Sequence, residues 1–208
     1  MMPYTRVSEI RGGTWEAGMN FRVFRSLNRL IAAAVLTGLA LLNGCAITAV
    51  PGQVPAQKGI RQQNLTGVSL AVLSGSQDAS LYPILTETGV DVGFVYERRT
   101  WSGKLVEALA GELARNGAVL RTTASLKLSV AVKEVTLVQT GEINQFKVKV
   151  SASSSRGWSK DFEASAETTT GAFETVDSMT RRLAGMSLAG VVKIMLDDRD
   201  FLAQLKNK

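Results

Sequence analysis

Along this chain the spacing of apolar residues changes character several times, and each change marks an element. From Leu30 to Leu42 apolar and small residues run on without a charge, behind a segment carrying Arg22, Arg25 and Arg29. From Ala46 to about Gln63 no period is visible and Pro51 and Pro55 punctuate a polar stretch, which predicts a flexible tether. Val68 to Leu73 reads as a first strand, followed by a connection from Ser74 to Gly89 with a turn near Tyr82 and Pro83. Val90, Val92, Phe94 and Tyr96 alternate, which predicts a half-buried strand ending before Arg98 and Arg99. A helix follows: Thr100 or Ser102 can cap it, Leu105, Val106, Leu109 and Leu113 form its apolar face, and Asn116-Gly117 ends it.

Strict alternation then takes over. Leu126, Leu128, Val130 and Val132 keep one phase, which slips at Lys133-Glu134 and resumes at Val135 and Leu137; that is the signature of a bulge. Turns at Thr140-Gly141-Glu142 and at Ser153 to Gly157 lead to Phe146, Val148, Val150 and then to Trp158, Phe162, Ala164, Ala166. Three such strands predict an antiparallel meander. A long helix from about Thr175 to Leu196 turns Val176, Met179, Leu183, Val191, Ile194 and Met195 inward, with Gly185 and Gly190 marking close packing or a bend. Arg199 to Leu205 adds a turn or two. The expected fold is α+β: a mainly antiparallel sheet with two helices on one face, after a cleaved signal and a flexible tether. Lys147, Lys149, Ser151, Ser159, Asp161 and Glu163 make the other face wet.

The N-terminal run is too short to span a hydrocarbon core, which takes about 20 residues. A basic segment, an apolar run and a small residue before a cut form an export signal. Leu42-Asn43-Gly44-Cys45 resembles a bacterial lipobox, in which the cysteine is diacylated before cleavage. An ordinary secretory cut would instead leave Cys45, the one cysteine of the chain, as a free thiol. The expected division is residues 1–44 as signal, 45–63 as lipidated N-terminus and tether, and 64–208 as one periplasmic domain. Residues 1–18 read as a start-site extension, with Met19 as initiator. Ala46 is not the Asp that retains lipoproteins in the inner membrane, so the expected location is the outer membrane, facing the periplasm.

Composition narrows the chemistry. The first 44 residues hold five basic and two acidic side chains of the chain's 24 and 18, so the formal charge falls from +6 to about +3 once they are removed. This balance does not point to nucleic acid. With no His and its one Cys given to lipid, the chain lacks histidine catalysis, thiol catalysis and the usual zinc ligands. No phosphate loop, GxSxG elbow or EF-hand occurs, so no cofactor is implied. Asp197-Asp198-Arg199-Asp200 fits either a hard cation or a polar helix end. Trp101 beside Arg98 and Arg99, and Trp158 beside Arg156 and Lys160, fit either a ligand or partner edge or aromatic seals on the core.

Asp161-Phe162-Glu163-Ala164-Ser165, Gly171-Ala172-Phe173 opening into the long helix, and Asp200-Phe201-Leu202 resemble the YajG-type lipoprotein family. The helix from Leu105 to Gly117 is similar to that family's first helix. The resemblance implies an outer-membrane-type lipoprotein without a known enzymatic activity and carries over no catalytic residues. The expected function is a lipid-anchored, non-catalytic binding or scaffolding module with an envelope protein as partner. The alternative is an accessory lipoprotein of lipid or lipopolysaccharide transport. An enzyme of cell-wall metabolism would have only carboxylates such as Glu134, Glu163 and Glu167.

Overall fold

The meander that the alternating stretch predicts lies at the centre of the structure, a computed structural model that describes residues 46–56, 63–86, 93–140, 143–169 and 175–206. Among these the elements run β1 (Ile47–Thr48), β2 (Ser69–Ser74), β3 (Leu81–Pro83), β4 (Leu85–Thr86), β5 (Phe94–Glu97), α1 (Arg98–Arg115), β6 (Val119–Leu120), β7 (Leu126–Thr140), β8 (Ile143–Ser154), β9 (Ser159–Thr169), α2 (Val176–Asp197) and α3 (Arg199–Lys206). The fold is α+β. The larger sheet has the order β6-β2-β7-β8-β9, with β4 also on β7, and the smaller one the order β1-β5-β3.

Antiparallel register places Val132, Val150 and Phe162 side by side, then Val135, Val148 and Ala164, then Leu137, Phe146 and Ala166. All nine are buried. Large side chains give way to alanine on β9, and this is where α2 packs. Gly190 comes so near that a Cβ added to it would lie 3.1 Å from the Ala164 methyl. The alternate positions Lys149, Ser159, Asp161 and Glu163 are exposed, and Lys147 and Ser151 half-buried, as a wet second face requires.

The sheet is not antiparallel throughout. β2 pairs with both β6 and β7 in parallel, and β4 pairs with β7 in parallel. The reason is α1, which crosses over between β2 and β6 and returns the chain in the same direction. Its buried residues Trp101, Leu105, Leu109 and Leu113 fall four apart, on one stripe. The helix ends in a Schellman motif: Ala118 N–H donates to Leu113 O (3.0 Å), Gly117 N–H to Ala114 O (3.0 Å), and Gly117 takes φ +94°.

Three details differ from expectation. Helix α1 begins at Arg98, and neither Thr100 nor Ser102 caps it: the N-cap is Glu97, with no side-chain cap bond. Thr100 Oγ1 instead donates to the Glu97 carboxylate. The Ser102 hydroxyl, fully buried, accepts from Val132 N–H at 3.0 Å. On α2, Thr175 does cap, accepting from Ser178 N–H. Val176 and Ile194, however, point outward, being 53% and 42% exposed. Val176 lies in the first turn, and Ile194 sits about 100° round the helix from Met195 on the buried stripe.

The third difference concerns residues 46–56, which do not hang free as a tether. β1 pairs in parallel with β5, and Ala49 and Pro51 are buried. Gly52 N–H donates to Arg181 O (3.1 Å) on α2. The strap passes Gly185 so closely that an added Cβ would stand 2.8 Å from Gln53 O. An extended segment satisfied by long-range partners needs no period of its own, so its sequence reads as a linker.

Gly185→Ala is expected to lower stability by about 1–3 kcal/mol, because a backbone carbonyl must shift to admit the methyl. Gly111→Ala on α1, with no atom within 4 Å of the new Cβ, should raise stability by up to about 1 kcal/mol. Urea denaturation should therefore move the two midpoints in opposite directions. Parallel shifts would remove the strap from the helix surface.

Candidate functional site

The residues singled out as a ligand or partner edge fall into two separate corners. At the first, β5 runs straight into α1 beside the bulge of β7. The register of β7 on β8 shifts between Val132 and Glu134, so Lys133 is the extra residue. Its carbonyl accepts from Tyr96 Oη (3.1 Å) and from Arg98 Nη2 (3.0 Å). The Arg98 guanidinium also lies 3.8 Å from the Tyr82 ring centroid, a cation–π contact. Tyr82 Oη in turn donates to the Asp78 carboxylate, which also accepts from Ser80 N–H (2.8 Å).

The electrostatics follow from these contacts. The Tyr82 hydroxyl, the Ser80 amide and hydroxyl, and the Arg98 charge hold the Asp78 carboxyl down at about 2. The bond to Asp78 pushes the Tyr82 phenol above its ordinary range. Burial raises Tyr96, against the opposing Arg98 cation. At neutral pH Asp78 is an ionised acceptor with both oxygens engaged, and both tyrosines are neutral. The cluster is built to fix the small sheet to the large one.

Trp101 is in this corner but beneath it. It is fully buried, its indole N–H donates to Ala49 O at 2.8 Å, and it packs against Tyr96 and Phe146 with centroids 5.7 and 6.4 Å away. It offers no surface to a ligand, so the edge reading of Trp101 gives way to the core reading. Arg98 is likewise spent on Lys133 and Tyr82. Arg99 is the most exposed of the three, its side chain 58% exposed, at 3.4 Å from Glu97.

The second corner joins the start of β9 to α3. Trp158, half-buried, packs with Phe162 and Phe201 at 6.3 and 5.8 Å. Lys160 Nζ bridges Asp198 (2.7 Å) and Asp200 (3.2 Å), while Asp198 Oδ1 accepts from Phe201 N–H (2.8 Å) and so caps α3. Partial burial pushes the Asp198 carboxyl up, but the Lys160 ammonium and the Phe201 and Asp200 amides outweigh it, and its pKa falls below the ordinary value. Both carboxylates raise Lys160. The acidic run is thus a helix junction: Asp197 pairs with Lys193, and Asp198 and Asp200 with Lys160. Among the described residues no group of three His, Cys, Asp or Glu could hold a metal ion.

Among the described residues the two corners share no aromatic neighbour. Between the strap and the two long helices lies a cleft of about 210 Å³, with Val54, Ala108, Ala189 and Val192 among its apolar walls and Lys104, Glu107, Glu112 and Arg115 among its charged ones. This is below the roughly 300–1,000 Å³ of ordinary small-molecule pockets. Leu42, Asn43, Gly44 and Cys45 lie outside the described residues. Among those described, no helix is long and apolar enough to cross a membrane. What sequence reasoning missed is the Asp78–Tyr82 pair and the Lys133 carbonyl; only the phase slip at Lys133-Glu134 signalled that corner.

No protein-family model and no curated protein matches the chain. Among solved structures it is similar to a Xanthomonas campestris protein of the DUF330 family, at 12% identity over 73% of this chain and 93% of that one, TM-score 0.49. It is also similar to a candidate lipoprotein from Caulobacter crescentus (14%, 67% and 93%, TM-score 0.37) and to a minor lipoprotein from Acinetobacter baumannii (12%, 62% and 87%, TM-score 0.37). Likeness at this level says nothing about function.

Trp101→Phe should cost about 1–3 kcal/mol, combining lost volume with an unpaired Ala49 carbonyl, and should raise protease cleavage within residues 46–56. Asp78 has a folded pKa of about 2 against an ordinary 3.8, so its stabilisation is full above 3.8 and is lost as pH falls through about 2. The stability difference between the wild type and Asp78→Asn should therefore be constant at neutral pH and shrink across that acid window. Denaturation curves at a series of pH values measure it.

Proposed function

We propose that this protein is a bacterial lipoprotein, diacylated at Cys45, held on the periplasmic face of the outer membrane, where it serves as a non-catalytic binding or scaffolding module for an envelope partner. The observation that carries the reading is Leu42-Asn43-Gly44-Cys45 closing a basic and then apolar segment, with the chain's one thiol at the point of attachment. Two acyl chains supply the second signal that stable anchoring requires, at about 0.8 kcal/mol per buried CH₂. The composition supports a binding role, since without His or a second Cys the chain has few groups for proton transfer or nucleophilic attack. The side-chain clusters of the domain support it too: their carboxylates are engaged by hydroxyls, amides and lysines within the fold. Ala46 after the cysteine favours the outer membrane over the inner.

Intact-mass analysis of the purified protein, with crosslinking pull-down from envelopes, tests this. The wild type should carry acyl chains on an N-terminal Cys45, fractionate with outer membrane and recover one envelope protein in stoichiometric amount. Cys45→Ser should lose the acyl mass and the partner together. Recovery of lipid without protein would shift the reading to the transport accessory. A membrane-bound, uncleaved Cys45→Ser protein would overturn the lipoprotein reading.

A further inference from the structure

The strap bears on where the domain stands relative to its anchor. Four backbone groups on three residues are fixed by long-range hydrogen bonds: Ile47 N–H to Gly93 O (2.8 Å), Ala49 N–H to Val95 O (2.7 Å), Ala49 O from the Trp101 indole (2.8 Å), and Gly52 N–H to Arg181 O (3.1 Å). The chain is therefore part of the fold from Ile47 onward, two residues beyond Cys45. Two residues reach roughly 7 Å. The polar layer of a bilayer is about 5–8 Å thick on each side of a ~30 Å hydrocarbon core. A diacylated Cys45, its sulfur at the boundary of the hydrocarbon, thus leaves β1 no slack to rise clear of the headgroups.

The small sheet has the surface for that position. Phe94 and Tyr96 turn into the core, so Val95 and Glu97 mark the opposite face. There Thr48, Val95 and Pro83 stand side by side across the three strands, and Leu81 lies opposite Glu97. Leu81 is 58% exposed, and Pro83 and Thr48 are exposed on the same face, whereas Ile47, level with Phe94, belongs to the other one. Among the described residues of these three strands the one charge on that face, Glu97, is matched by Arg99 and by the Thr100 hydroxyl. A partly apolar surface whose described charge is paired, beside a lipid attachment point, suits the headgroup–acyl boundary, where apolar side chains add to the anchor's hold.

We infer that the outer face of the β1-β5-β3 sheet rests on the lipid surface that carries the anchor, so the domain is held in one orientation rather than swung on a tether. This rests on the lipoprotein reading above. Acylation blocks Cys45, so a cysteine introduced elsewhere is the only free thiol. Leu81→Cys places a label on the small sheet. Ser153→Cys places one at the far end of β8, seven residues or ~23 Å along the strand from Phe146, which packs against Trp101. Both lipidated variants would be labelled with an environment-sensitive fluorophore and reconstituted into phosphatidylethanolamine–phosphatidylglycerol vesicles containing brominated lipid.

Quenching should be several-fold greater at position 81 than at 153, and a Gly-Ser insertion between Ala46 and Ile47 should erase most of the difference. Equal quenching at the two positions, in protein whose mass shows acylated Cys45, would overturn the orientation and leave the lipoprotein reading standing. A label at 81 that is shielded from solvent yet not quenched by the lipid would also overturn it, in favour of a second copy on this face. Absence of the acyl mass would overturn both.

Discussion

Between Val130 and Thr136 the edge of β7 has no strand beside it among the described residues, and the way its polar groups are satisfied decides how the rest of the molecule is arranged. β2 covers this edge up to Val130, and β4 takes it up again at Thr136. In the gap, Val132 N–H goes to the buried Ser102 hydroxyl, and the Lys133 carbonyl goes to Tyr96 and Arg98. A buried backbone group left unpaired costs about 1–3 kcal/mol, so the gap is tolerable only because β5 and the first turn of α1 fill it. That requirement brings the small sheet and the start of α1 to one spot. It also explains why Ser102 is turned inward rather than spent on capping.

Much of the fold was legible because it is local. The alternation from Leu126 to Ala166 specifies the meander, its bulge and the face that is buried. The stripe Leu105, Leu109, Leu113 and the Asn116-Gly117 stop specify α1. What was not legible is what depends on partners far away in sequence. Parallel pairing of β2 with β7 leaves no mark in either strand, since the same apolar run suits both directions. The strap is extended, contains two prolines, and is held by Trp101, Arg181 and Gly185, so its own residues carry only the signature of a linker.

The same division runs through the chosen residues. Trp101 and Trp158 look alike in sequence, each an aromatic with basic neighbours. The structure separates them by where the indole N–H goes: that of Trp101 closes on the strap, and its basic neighbour Arg98 is consumed by the bulge. Lys160 beside Trp158 is consumed by Asp198 and Asp200. Adjacent charge marked places where elements are joined, because a cation near an element's end is well placed to take up carbonyls and carboxylates that the joint leaves over.

The strap also sets the order in which the chain can become a folded protein. Its hydrogen-bond partner Arg181 lies ~130 residues downstream of Gly52, on the last long helix. Contacts of such separation form late, since the loop between them must first be closed. A chain made from its N-terminus can lay β1 on β5 and Trp101 early, but cannot seat Gly52 and Gln53 until nearly the whole domain is present. The strap therefore closes in two stages, its β1 end first and its α2 end last.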